Sequence, residues 1–186
     1  DITATGQLVV LRDMVELVIK SSVISICVSI VVITFIAAIF FRHLGWGILA
    51  VIPLSAAVIL NFGFMGILKI DLNHVTALLS SVIIGVGVDF AIHYISQYRR
   101  LARAKVPIAT RSNRVIDEVG YPIILDALSN MAFGALLFSE FVPLQHMGGL
   151  MVFAMFSTSF GTLTILASLL ELIGRRKKVM KKLLGE

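Results

Sequence analysis

A single acid stands inside an apolar stretch. In "SSVIIGVGVDFAIHYISQYRR", residues 80–100, Asp89 lies ten residues before Arg99 and Arg100. An ionised Asp at the centre of a membrane helix costs about 2.5–3.5 kcal/mol to insert, so it should face protein or water. Kept from water and from cations, a carboxyl group there binds a proton more readily. That is what a proton-coupling group requires. The alternatives are a structural carboxylate bonded to a neighbouring hydroxyl or amide, a site for another ion, or an inactive relic. Ser81, Gly85, Asp89 and His93 recur every four residues, and Ala77 and Gln97 extend the row. Adjacent members share a helix face, with a drift of about 40° per step. Ser81, Gly85 and Gly87 are the expected helix-packing positions, since small residues let backbones approach closely. "GVGVD" is no dinucleotide fingerprint: no strand precedes it and no βαβ unit follows. His93 either accepts the proton or positions the carboxylate; the plainer alternative is a polar lining residue near the helix end.

Further polar residues could converge on Asp89. Asn130, with Ser129, offers an amide and a hydroxyl, or else bonds another helix. Asp126 either lines a proton entry path or answers a helix N-terminus. Thr158, Ser159 and Thr162 either face Asp89 or bond their own backbone carbonyls. One His–Asp pair supplies too few ligands for a metal. With no nucleophilic triad, phosphate loop or paired metal carboxylates, the sequence implies neither an enzyme nor a cofactor.

The elements that must hold these residues follow from composition. Of 186 residues, 58% are hydrophobic and 15% charged, where soluble domains run near a quarter charged. Charges divide the chain into five expected spans at about 21–41, 46–68, 72–98, 121–139 and 144–170. The expected fold is therefore an all-α integral membrane domain of five transmembrane helices. Trp46 is an expected interface anchor, Pro53 a kink, and Pro122 a first-turn proline. Residues 1–20 read as the end of an extracytoplasmic region with an amphipathic outer helix at 8–20, built on Leu11, Met14, Val15 and Val18. Residues 21–172 are the membrane domain, with a cytoplasmic linker helix at 108–119, and 173–186 a basic tail. Asp71 or Asn73 could cap the third span ahead of His74. Glu140, Pro143 and His146 read as turn and interface residues.

Net charge is +5, with thirteen of sixteen Lys and Arg on the links and tail of one side. This positive-inside bias places the N-terminus outside and the C-terminus in the cytoplasm. Neither aromatic platforms nor a recognition helix accompanies the basic residues, which argues against nucleic acid. Cys27, the single cysteine, is expected to pack as a small hydrophobe. The opening "DITATGQLVVLRD" lacks an initiator Met and reads as part of a longer protein.

"TG" near the start, "FFR" with "GW" and "PL" over 40–54, "GVGVDFAIHYISQYRR" and "SNMAFGALLFSEFVPLQHMG" together resemble the resistance-nodulation-division (RND) transporter superfamily, on its MMPL-like hydrophobe-exporter branch. The likeness extends over nearly the whole chain, and the five-helix block is also similar to a sterol-sensing domain. It implies one half of a proton-driven exporter of a lipid or other hydrophobic molecule, in a bacterial or archaeal cytoplasmic (inner) membrane. Asp89 would be its proton relay. Phe90 stands where many members have Tyr, which removes a hydroxyl from that relay. The resemblance further implies, as partners, membrane lipids, the hydrophobic substrate, a missing first repeat with its extracytoplasmic domains, and room for a homo-oligomer. Alternatives are a non-pumping sterol- or lipid-sensing module and a proton-coupled component of a protein-export assembly.

Overall fold

The computed structural model describes residues 2–70 and 74–175, with side chains described from residue 12 onward except at 74, 75, 77, 78, 80 and 81. Asp71, Asn73 and most of the basic tail therefore lie outside the described residues, as does the side chain of Ser81. The order is α1 (Ile2–Phe41), α2 (Leu44–Ile67), α3 (His74–Arg103), α4 (Ile108–Asn130), a 3₁₀ segment (Met131–Phe138), α5 (Val142–Gly161), a π segment (Thr162–Leu166) and α6 (Ala167–Arg175).

At 1.5 Å per residue, the forty residues of α1 extend about 60 Å, twice the hydrocarbon thickness of a bilayer. The outer helix expected at 8–20 is thus no separate element, because nothing in "VIKSSVIS" breaks the helix between it and the first span. Similarly, the linker helix expected at 108–119 continues through Gly120 into the fourth span, which places Pro122 inside α4 and not in a first turn. Pro107 precedes that helix, at its N-cap.

Three chain reversals use the same device. Arg42, Lys69 and Lys105 each take a left-handed backbone (φ 55°, 53° and 58°) just past α1, α2 and α3. The amides that follow fold back, as His43 N donates to Ala38 O (3.0 Å), Ile70 N to Met65 O (2.9 Å) and Val106 N to Leu101 O (3.1 Å). Glycine is the usual residue for this conformation. A long basic side chain instead lets the helix end reach the headgroup layer.

α3 occupies the centre, packed against α1, α2, α4 and α5. Its buried side is Ile83, Ile84, Phe90, Ala91, Tyr94, Ile95 and Tyr98, and Val82, Gly85, Asp89 and His93 lie on its exposed side. Trp46, Leu54, Leu150 and Met155 complete the core from α2 and α5. Trp46 is fully buried, so it is no interface anchor: its ring lies beside Tyr98, with centroids 6.5 Å apart. Cys27 shows the opposite error, because it lies exposed on the outward face of α1 and not in the core. Gly47 lets α2 touch α1, since a Cβ there would lie 2.5 Å from Thr34 O.

Among the described residues, four helices are long and apolar enough to cross a membrane: Arg12–Phe41, Leu44–Ile67, Ile108–Phe138 and Val142–Arg175. α3 is outside that comparison, since the side chains at six of its first eight positions lie outside the described residues. The protein is an all-α membrane bundle.

Candidate functional site

Asp89 and His93 stand on the one face of α3 that no described helix covers. Asp89 has neither a hydrogen bond nor an ion pair with any described residue, so no described Lys or Arg neutralises it. Two residues earlier, Gly87 faces inward, where an added Cβ would lie 2.6 Å from Leu54 Cδ1 and 3.0 Å from Thr158 Cγ2. Gly85, one turn before Asp89, has nothing within 4 Å. Of the packing positions expected, Gly87 meets neighbours, whereas Gly85 is open on the same face as Asp89.

The row ends at Gln97, whose Nε2 donates to Glu118 of α4. Arg100 Nη2 also donates to Glu118, at 2.6 Å. This clamp sets the register of two antiparallel helices. Eight residues back along α3 is Asp89 and eight forward along α4 is Asp126, about 12 Å in each case. The two carboxylates therefore stand at a common depth on neighbouring helices, both exposed. Ser129 is exposed and Asn130 half-buried beyond them. Asn130 does not bond Asp89: its Nδ2 donates to the backbone oxygen (3.0 Å) and to Oδ1 (3.1 Å) of Asp126, which the i, i−4 spacing puts one turn away.

The hydroxyls of α5 lie on the other side of α3. Thr158 is buried against Gly87, about 200° around the helix from Asp89. Its Oγ1 donates to Ala154 O at 2.7 Å, and Ser159 Oγ donates to Phe156 O at 3.1 Å. Both are satisfied by their own helix and do not face Asp89. Thr162 is buried at the start of the π segment. Phe90 is fully buried. The hydroxyl of Phe90→Tyr would thus enter the core, and we expect it to lower stability by about 1–3 kcal/mol, read as a lower thermal midpoint in detergent. An unchanged midpoint would mean that the site already offers a partner.

Sequence reasoning passed over a polar cluster at the arginine-rich end. Arg111, counted there among linker charges, is 6% exposed; it donates from Nη2 to Val106 O (2.7 Å) and lies 5.3 Å from the centre of the Tyr98 ring. Tyr98 OH donates in turn to Leu170 O at 2.9 Å, which joins α3, α4 and α6. Tyr94 OH, Ser112 Oγ and the Nε atoms of Arg99 and Arg111 are buried without a hydrogen-bond partner among the described residues, as is Asn61 Oδ1 in α2. A lone charge four residues after a proline carries no sequence signal of burial. Burial, and then the neighbouring Arg103, push the Arg99 guanidinium below its ordinary pKa. Among the described residues, no three His, Cys, Asp or Glu side chains cluster as metal ligands.

Long apolar helices around a central helix with an outward carboxylate define a multi-pass membrane protein. The chain belongs to the MMPL family, within the RND superfamily, and matches it over residues 1–184. Like its family, it is a protein of the cytoplasmic membrane. It is 28% identical over 188 residues to a membrane protein of Methanocaldococcus jannaschii, MJ1562, an alignment that takes in all of this chain and 48% of the relative. The chain thus spans about half the length of the curated relative it matches.

Proposed function

We propose that this block is the proton-coupling membrane half of an exporter that moves a lipid or other hydrophobic molecule at the expense of the proton gradient. One observation carries the reading: Asp89 stands in a membrane bundle, on an otherwise uncovered face, with no cation beside it among the described residues. An ionised carboxylate facing lipid is expensive, so this face of α3 and α4 meets protein or water in the working molecule. A second five-helix block, from another repeat or another copy, is the partner whose chemistry fits. Asp89 alternates between charged and protonated forms, and each form favours a different packing of α3 against what covers it. His93 and Asp126, with Ser129 and Asn130, line the route by which the proton arrives. In this reading α3 is the fifth span, sheltered by its four neighbours. The end that carries Arg42, Arg99 and Arg103 faces the cytoplasm.

The test is transport by the full-length protein in proteoliposomes, with candidate lipids supplied one at a time. Export should stop when a protonophore collapses the gradient, and should resume when an imposed pH step restores it. Export that continues at its full rate without a gradient would overturn the proposal.

A further inference from the structure

At the arginine-rich end, α1 and α3 border an open cavity of about 240 Å³, lined by Phe40, Phe41, Ser96, Arg99, Arg100 and Arg103. Three guanidinium groups gather on one wall, and among the described residues a single acid, Glu118, answers them by pairing with Arg100. Arg103 has no acidic partner among the described residues. Arg99 is held in place by aromatic faces, 5.2 Å from the Phe41 ring centre and 5.5 Å from that of Trp46. Rings orient a cation but do not accept its N–H groups, and Arg99 Nε is left without a described hydrogen-bond partner. Arg99 and Arg103 thus stand without a described acidic partner on the same α3 wall as the Ser96 hydroxyl, facing the two phenylalanines of α1, a donor set suited to the oxygens of a phosphate.

Its surroundings identify the source of that phosphate. The cavity opens where the apolar, outward face of α1 ends, and Phe40 on its rim is 62% exposed, in line with Phe35, Ile36 and Ile39. A molecule seated there has its anionic group on the arginines and an apolar body along α1. The volume is below that of a drug-sized pocket, which suits a headgroup alone. Basic pockets at helix ends hold anionic lipid headgroups by this chemistry. We propose that Arg99 and Arg103, with Ser96, form a binding site for the phosphate of an anionic phospholipid in the leaflet at this end of the bundle. The lipid is a resident partner of the fold, separate from any transported molecule and independent of Asp89. Its phosphate neutralises two crowded arginines of the central helix, and its apolar body lies along α1.

Native mass spectrometry of the full-length protein, released from detergent micelles, tests the site. Added phosphatidylglycerol should be retained as a discrete adduct, and phosphatidylcholine should not. Replacing both arginines (R99Q/R103Q) should lower phosphatidylglycerol retention at least about tenfold, the loss of charge-assisted bonds being worth that much or more. Should that variant fail to fold, Ser96→Phe fills the cavity with every arginine in place and should lower retention to the same degree. Equal retention of the two lipids, or retention that neither replacement reduces, would overturn the proposal. Displacement of the adduct by millimolar inorganic phosphate would assign the site to a free anion and reject the lipid.

Discussion

Asp89→Asn abolishes substrate-dependent proton flux in proteoliposomes of the full-length protein, a drop of roughly 100-fold or more. The amide matches the carboxylate in size but cannot ionise, so it removes the alternation of charge and little else. The variant should fold, because Asp89 is exposed on α3 and bonds to no described residue. Loss of an intramembrane charge even relieves part of the insertion cost. Asp89→Glu, which keeps an ionisable group on a longer arm, should retain part of the flux. His93→Gln should cost less than Asp89→Asn, since His93 lies a full turn from the carboxylate. A lipid-sensing module that does not pump would tolerate the loss of the Asp89 charge. Wild-type flux in Asp89→Asn would therefore remove Asp89 from the coupling role.

Gly47→Ala should be the most damaging single-methyl change in the bundle. The new Cβ would meet Thr34 O at 2.5 Å, Ala38 N at 3.0 Å and Ala38 Cβ at 3.1 Å. Two of these are backbone atoms of α1, which no rotamer change can move aside. The helices must separate, and overpacking of this kind costs about 1–3 kcal/mol. The movement also carries Trp46 away from Arg99 and Tyr98, which loosens the start of α2 against the central helix. Gly63→Ala is the matched control, since nothing lies within 4 Å of its Cβ position. There the alanine should gain about 0.5–1 kcal/mol from helix propensity. Thermal midpoints in detergent should move in opposite directions. Equal shifts would show that the α1–α2 contact is looser than described.

What could be read from the sequence was set by charge, and what could not was set by the bilayer. Arg42 and Lys69 marked the helix ends because a charge cannot stay in hydrocarbon. Which side of a helix faces the core is a different matter, because lipid and core are both apolar. Trp46 and Cys27 were misplaced for this reason: nothing in their neighbours distinguishes a residue against lipid from one against protein. Gly85 and Gly87 are alike in sequence, yet one is open and the other lies against Leu54 and Thr158. Asp89 was conspicuous because its charge contradicts its surroundings. Its relation to Asp126 was hidden, since the common depth depends on Glu118 joining Gln97 and Arg100 across two helices. Hydroxyls such as Thr158 Oγ1 were ambiguous for a further reason: a helix offers them its own carbonyls one turn back.

The claim that Asp89 alternates between carboxylate and carboxylic acid can be observed directly. Infrared difference spectra of the reconstituted full-length protein would be recorded between acidic and alkaline buffer, with and without a transported lipid. The account predicts a carbonyl band of a protonated carboxylic acid that appears on acidification, shifts when the lipid is added, and is missing from Asp89→Asn. The same band, undiminished in Asp89→Asn, would place the titrating acid elsewhere and contradict the account.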